Sequence, residues 1–240
     1  MRQYEGKSNK EKSNKGKASG AAANDGRFIG KMVSYGIYYA LGFVAGGAVL
    51  SWLVGWPFAI PFYLLAIFCL NFFRDPERKI PEGAVAVAPA DGKVIGVQSD
   101  ANGGRVNIFM NVFDVHVNRT PIPGRITKIE YKTGEFVNAS REDACTLNEQ
   151  NVVTVEGNVG GRPTRVVFSQ IAGLIARRII CYKKIGDVVA TGERVGLIKF
   201  GSRVDIFLGP EWEIAVRDGE RVSAGSSVIA RMRRSAGENA

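Results

Sequence analysis

Asp91, His116 and Ser202 are the residues whose types could do nucleophilic chemistry together: a hydroxyl to attack, an imidazole to take its proton, a carboxylate to orient the imidazole. Each also has an ordinary reading. Asp91-Gly92, in APADGKV, is a turn dipeptide by default. His116, in NVFDVHVNRTPIPG, has Val115 and Val117 on the opposite strand face, and a lone histidine there is more often a hydrogen-bonded polar residue than a catalyst. Ser202 lies in GLIKFGSRVDIFLGP, residues 196–210. Leu197, Ile198 and Phe200 before it, and Val204, Ile206 and Phe207 after it, read as strand, interrupted by Gly201, Ser202 and Arg203. Glycine inside a strand marks a bulge or a close approach to the backbone. The interruption is therefore either a bulge or a place for chemistry at the Gly201–Ser202 bond.

Other chemistries fit poorly. The chain has one histidine, and Cys69, Cys145 and Cys181 show no CxxC or paired spacing, so no metal is expected and the compartment reads as reducing. That histidine count excludes a zinc peptidase. A Ser-His-Asp hydrolase would want a GxSxG elbow between strand and helix, whereas FGSRV lies between strands and lacks the second glycine. A lipoyl-like, membrane-anchored binding module is the non-enzymatic alternative; it needs a lysine at an exposed hairpin tip.

The elements that must position these residues follow a basic leader. Residues 1–31 hold eight Lys/Arg and three acids, and their Lys/Ser/Gly/Asn/Ala composition predicts a disordered tail. Residues 32–73 carry no charge, and Gly55-Trp56-Pro57 divides them. About 20 apolar residues span a bilayer, so this block predicts a membrane-associated helical hairpin, fully crossing or dipping into one leaflet. Lys31 before it and Arg74, Arg78 and Lys79 after it put both ends on the cytoplasmic side of the cell membrane. The net charge of +9 fits an anionic lipid surface better than nucleic acid, which is not expected as a partner.

Residues 74–240 alternate β-branched runs with turn signals, and only 171–180 could be a short helix or equally a strand. GDVVATGERVG (186–196) and GERVSAGSSVI (219–229) form a weak internal repeat. The predicted fold class is mainly β: a barrel-sandwich-like β domain preceded by an N-terminal hydrophobic helical hairpin.

FFRDPERKIP (72–81), AVAPADGKV (86–94), NVFDVHVNRTPIPG (111–124) and IKFGSRVDIFLG (198–209) occur in that order. Together they resemble the short-form phosphatidylserine decarboxylase proenzymes, a pyruvoyl-dependent group that includes archaetidylserine decarboxylases. The resemblance covers roughly residues 35 to 232. It implies self-cleavage into 1–201 and 202–240, which stay together as a heterodimer. Ser202 Oγ attacks the Gly201 carbonyl, and the acyl group moves from nitrogen to oxygen. Elimination frees the Gly201 carboxylate and leaves dehydroalanine at 202. Hydrolysis then gives a covalent pyruvoyl group and ammonia. Glycine at 201 suits this, because nothing shields its carbonyl. The pyruvoyl ketone takes up the electrons released as CO2 leaves the serine headgroup of a phospholipid, diacyl or archaeal-ether.

In the likeness His116 activates Ser202 or serves decarboxylation, and Asp91 orients His116. Arg119 and Arg203, with Arg74 and Arg78, are candidates for the lipid phosphate. Longer relatives carry two histidines in this motif and an LGST-type cut. Here Arg119 stands at the second position and the cut is FGSR, so either His116 serves both steps or another group covers one.

Overall fold

The computed structural model describes residues 28–29, 32–141, 143–174, 178–199 and 201–233. The expected basic tail thus lies outside the described residues, except for strand β1 (Phe28–Ile29), which pairs with β2 (Met32–Val33).

Two helices follow, α1 (Ser34–Leu53) and α2 (Trp56–Phe72). Gly55, at φ +126°, makes the reversal between them, a backbone conformation that only glycine adopts freely. Pro57 sits in the first turn of α2, where its missing N–H costs no bond. Small residues let the helices close on each other. A Cβ on Gly36 would come within 2.5 Å of Phe73 Cβ, and one on Gly47 within 3.0 Å of the Tyr63 ring. At 1.5 Å per residue, α1 is about 30 Å long. It is long and apolar enough to cross a membrane, and 17% of its apolar window is buried by the rest of the chain. Trp52 and Trp56 stand exposed at the hairpin tip.

The remainder is β, with strands β3 (Val85–Val87), β4 (Gly92–Asp100), β5 (Gly103–Met110), β6 (Val117–Arg119) and β7 (Gly124–Lys132). The short helix α3 (Ala144–Leu147) follows, then β8 (Gln150–Val159), β9 (Arg162–Ile171), β10 (Ile179–Cys181), β11 (Val188–Val189) and β12 (Arg194–Ile198). The chain closes with β13 (Ser202–Leu208), β14 (Trp212–Ile214), β15 (Arg221–Val222) and β16 (Val228–Met232). An eight-stranded antiparallel sheet, ordered β11-β7-β8-β9-β13-β5-β4-β15, packs with two three-stranded sheets, β10-β12-β6 and β14-β16-β3. Val94, Ile108, Ile126, Val155, Phe168 and Ile206 belong to the shared core. The mainly β expectation holds. In the 171–180 stretch, strands flank residues 175–177, which lie outside the described residues.

The repeat seen in the sequence is a real unit of this fold. β11 and β15 are the two edge strands of the large sheet, and each turns into a strand of a small sheet, β12 or β16. The turns meet glycine to glycine: a Cβ on Gly192 would lie 3.4 Å from Gly225 Cα. Both turns take φ near +70°, at +70° and +75°. The tips are packed against Ile80 and carry no lysine, which removes the carrier-module alternative.

The stretch 196–210 is not one strand with a bulge. β12 belongs to a small sheet and β13 to the large one, so the chain changes sheets between Ile198 and Ser202. Hydrophobic alternation reads the same on both sides of such a crossing, which is why the pattern looked continuous.

The hairpin base is fastened to these sheets. Val33, Phe72 and Phe73 form a second core with Val115, Val117, Ile180 and Leu197. Just beyond, the fully buried Asp75 carboxylate takes Arg119 Nη2 at 2.6 Å and pairs with Arg194 Nε. Removing one partner of a buried pair strands the other charge. Asp75→Ala is therefore expected to destabilise the fold by about 3 kcal/mol, read as a lowered midpoint in chemical denaturation.

Candidate active site

β6 and β12 bring the histidine to the sheet crossing. Val117 is the register partner of Leu197, and Ile198 N donates to His116 O at 3.4 Å. His116 thereby lies beside residue 201 although 85 residues separate them in sequence. The imidazole is fully buried. Its Nδ1 stands 2.9 Å from the Asp114 main-chain carbonyl. A carbonyl can only accept, so Nδ1 carries the proton and Nε2 is left with a lone pair. Nε2 accepts the Gly201 N–H at 3.4 Å. The basic nitrogen therefore faces the peptide next to Ser202.

Burial lowers the His116 pKa from 6.5 to about 4, and the nearby Arg74 adds to the fall, while the Asp114 carbonyl and carboxylate oppose it. The ring is thus neutral, and able to accept a proton, at physiological pH. The Phe72 ring covers its face, with centroids 4.1 Å apart.

Ser202 is fully buried at the start of β13, opposite Met110 of β5. Its Oγ donates to Met110 Sδ at 3.6 Å. Gly201, at φ +66°, turns the chain into the large sheet. The Gly201 carbonyl oxygen lies against Gly173, where any Cβ would overlap it. The Gly201–Ser202 bond therefore joins a half-buried glycine to a fully buried serine, with a base at one side.

The structure does not bring Asp91 to His116. Arg78 Nη2 reaches both Asp91 oxygens at 2.8 Å, and Ala224 N donates to Oδ1 at 2.8 Å. Burial raises the Asp91 pKa, and Arg78 and the Ala224 N–H pull against that rise. Asp91 thus ties the segment after the hairpin to the β15–β16 turn. The orienting role expected of it on His116 falls to the Asp114 carbonyl, whose carboxylate is held by Asn111 N at 2.8 Å and Arg221 at 3.0 Å. Sequence reasoning passed over Asp114 although it stands two residues before His116, because a carbonyl role leaves no mark on side-chain type.

Two of the phosphate candidates are already engaged. Arg119 bonds Asp75 and the Gly192 carbonyl. Arg203 is 2% exposed and bonds Asp205 through Nε at 2.6 Å and Nη2 at 3.1 Å, with Nη1 on the Arg141 carbonyl. Both guanidiniums serve the frame, and a phosphate would have to displace buried ion pairs to reach them. Arg74, which donates to Asn71 O and Phe113 O, is the least enclosed of the four expected cations.

A family model described as phosphatidylserine decarboxylase matches residues 65–230. Among curated relatives, the phosphatidylserine decarboxylase proenzyme of Solibacter usitatus is 63% identical over 201 residues, covering 84% of this chain and 97% of that protein. The proteins of the same name from Cupriavidus pinatubonensis and Burkholderia multivorans are each 43% identical, covering 79% of this chain and 92% of theirs.

A depressed histidine pKa has a defined consequence for stability. Between about 4 and 6.5 the unfolded chain binds a proton that the folded His116 refuses, so stability falls as pH drops through that window. Thermal unfolding of the parent and of His116→Gln across pH 4–7 should show a steeper acid loss in the parent. Taking the difference cancels other titrating groups, Asp91 among them.

Proposed function

This chain belongs to the phosphatidylserine decarboxylase family, and we propose that it cuts itself at Gly201–Ser202 and then converts phosphatidylserine to phosphatidylethanolamine and CO2 at the cell membrane. The observation that carries the reading is the His116 lone pair aimed at the Gly201 amide beside a buried serine. His116 Nε2 takes the Ser202 hydroxyl proton as Oγ turns from Met110 to the Gly201 carbonyl. The close packing of Gly173 leaves that carbonyl no side chain to hide behind.

The site also suits a pyruvoyl group at position 202. A new serine N-terminus would bring an ammonium into a fully buried place against the Met110 sulfur. A neutral keto-acyl group carries no such desolvation cost. When present, the group supplies an electron sink for loss of CO2. The chain's own residues hold and shield it: β5 and β9 fix β13 on both sides, Met110 and Phe72 keep water away, and His116 is a proton carrier beside it.

The hairpin, by this reading, lies in the bilayer, with Arg74 and Lys79 at the cytoplasmic headgroups and the β part on that side. A lipid headgroup then reaches the site while its chains stay in the membrane. The two pieces remain one particle because β13 is an interior strand, and its Asp205 also pairs with Arg105 of β5 at 2.5 Å.

Mass measurement on the denatured protein should give pieces ending at Gly201 and beginning at residue 202, the second resistant to Edman chemistry. Native gel filtration should give one peak containing both. Ser202→Ala should leave an intact chain whose release of CO2 from phosphatidylserine vesicles is at background. An intact parent chain that decarboxylates at full rate would overturn the mechanism.

A further inference from the structure

His116 is held at Nδ1 by the Asp114 carbonyl at 2.9 Å and, more loosely, at Nε2 by the Gly201 N–H at 3.4 Å, and both bonds lie along the ring edge and leave its faces unsupported. The torsion that swings an imidazole is broad. The missing restraint comes from the membrane hairpin. Phe72, in the last turn of α2, lies at an interplanar angle of 31° to the imidazole, and both rings are buried. Phe72 is itself fixed by Phe73, edge-on at 5.0 Å, and by Phe68 at 5.9 Å.

The same hairpin grips the other side of the sheet crossing. Lys199 Nζ stands 4.1 Å from the centre of the Tyr35 ring, 5.7 Å from Tyr39 and 5.9 Å from Phe73. Cation–aromatic contacts of this kind are strongest where water is excluded. The hairpin base therefore touches both the base and the segment that carries the bond to be cut.

We propose that Phe72 is a positioning residue for His116: its ring fixes the imidazole plane, aims Nε2 at the Gly201–Ser202 bond and keeps water from it, so that the membrane hairpin forms part of the self-cleavage centre. The role assigned to the bond rests on the reading under Proposed function; the Phe72–His116 contact does not. Charged groups near the imidazole are Asp114 before β6, Arg74 after α2, Lys199 at the sheet crossing and Arg221 of β15, which pairs with Asp114. All four remain when Phe72 is changed, so a shift in His116 titration reports the loss of its cover.

The chain's single histidine makes the test direct. Full-length protein with imidazole-labelled histidine is placed in nanodiscs of phosphatidylglycerol and phosphatidylcholine, in a Ser202→Ala background that keeps it intact. The His116 carbon resonance is followed against pH. The parent should titrate near 4. Phe72→Ala should titrate about one pH unit or more higher. Phe72→Leu, which keeps apolar bulk if the alanine variant fails to fold, should move the same way by less, and Phe72→Tyr should match the parent. With Ser202 restored, freshly synthesised Phe72→Ala chains should cut about tenfold or more slowly, and the acid limb of their rate should move up with the midpoint. Folded Phe72→Ala or Phe72→Leu titrating within about 0.3 unit of the parent would overturn the proposal. Should no version cut itself, the self-cleavage reading fails while the midpoints still decide whether Phe72 controls the imidazole.

Discussion

Everything at this site depends on where one proton sits. A neutral imidazole has one donor and one acceptor, and the Asp114 carbonyl commits the donor to Nδ1. The opposite tautomer would put a lone pair against a carbonyl oxygen, leaving two buried acceptors facing each other, at a cost of about 1–3 kcal/mol. The remaining architecture serves that choice. β6 carries the histidine, β12 brings the crossing alongside, and the hairpin base closes over the ring and excludes the water that would let it charge.

The charged residues of the four motifs do a different job. Asp75, Asp91 and Asp205 each hold one or two arginines, and the pairs of Asp75 with Arg119 and Arg194 and of Asp205 with Arg105 join segments far apart in sequence. Arg203 follows Ser202 directly, yet its guanidinium is spent within β13 and on the Arg141 carbonyl. Low dielectric makes such pairs stiff once satisfied. The groups that touch the imidazole and the Ser202 hydroxyl side by side are uncharged: the Phe72 ring and the Met110 thioether. This arrangement suits the pyruvoyl group proposed at 202, which carries no charge.

The sequence made some of this legible and hid the rest for physical reasons. The hairpin was plain because 42 uncharged residues admit few other structures. His116 and Ser202 could be singled out by type, and the repeat could be seen because both turns need glycine at positive φ. The sheet crossing was hidden because alternation records which residues are buried, not which sheet buries them. The partners of Asp91, Arg78 and Ala224, could not be foreseen because tertiary packing chooses them. Phe72 was invisible inside an apolar run where every neighbour looks alike. The short helix α3 has no apolar period to announce it.

The place of β13 in the large sheet has a consequence for how the chain is made. Synthesis runs from the N-terminus, so β5 and β9 leave the ribosome before the strand that separates them exists. The Ala224 amide that holds Asp91, and β16, which completes its small sheet, are later still. A truncated translation product therefore has its histidine but lacks the framework that presses residue 201 against it. The order of manufacture acts as a safeguard: the proposed self-cleavage waits until almost the whole polypeptide has been delivered.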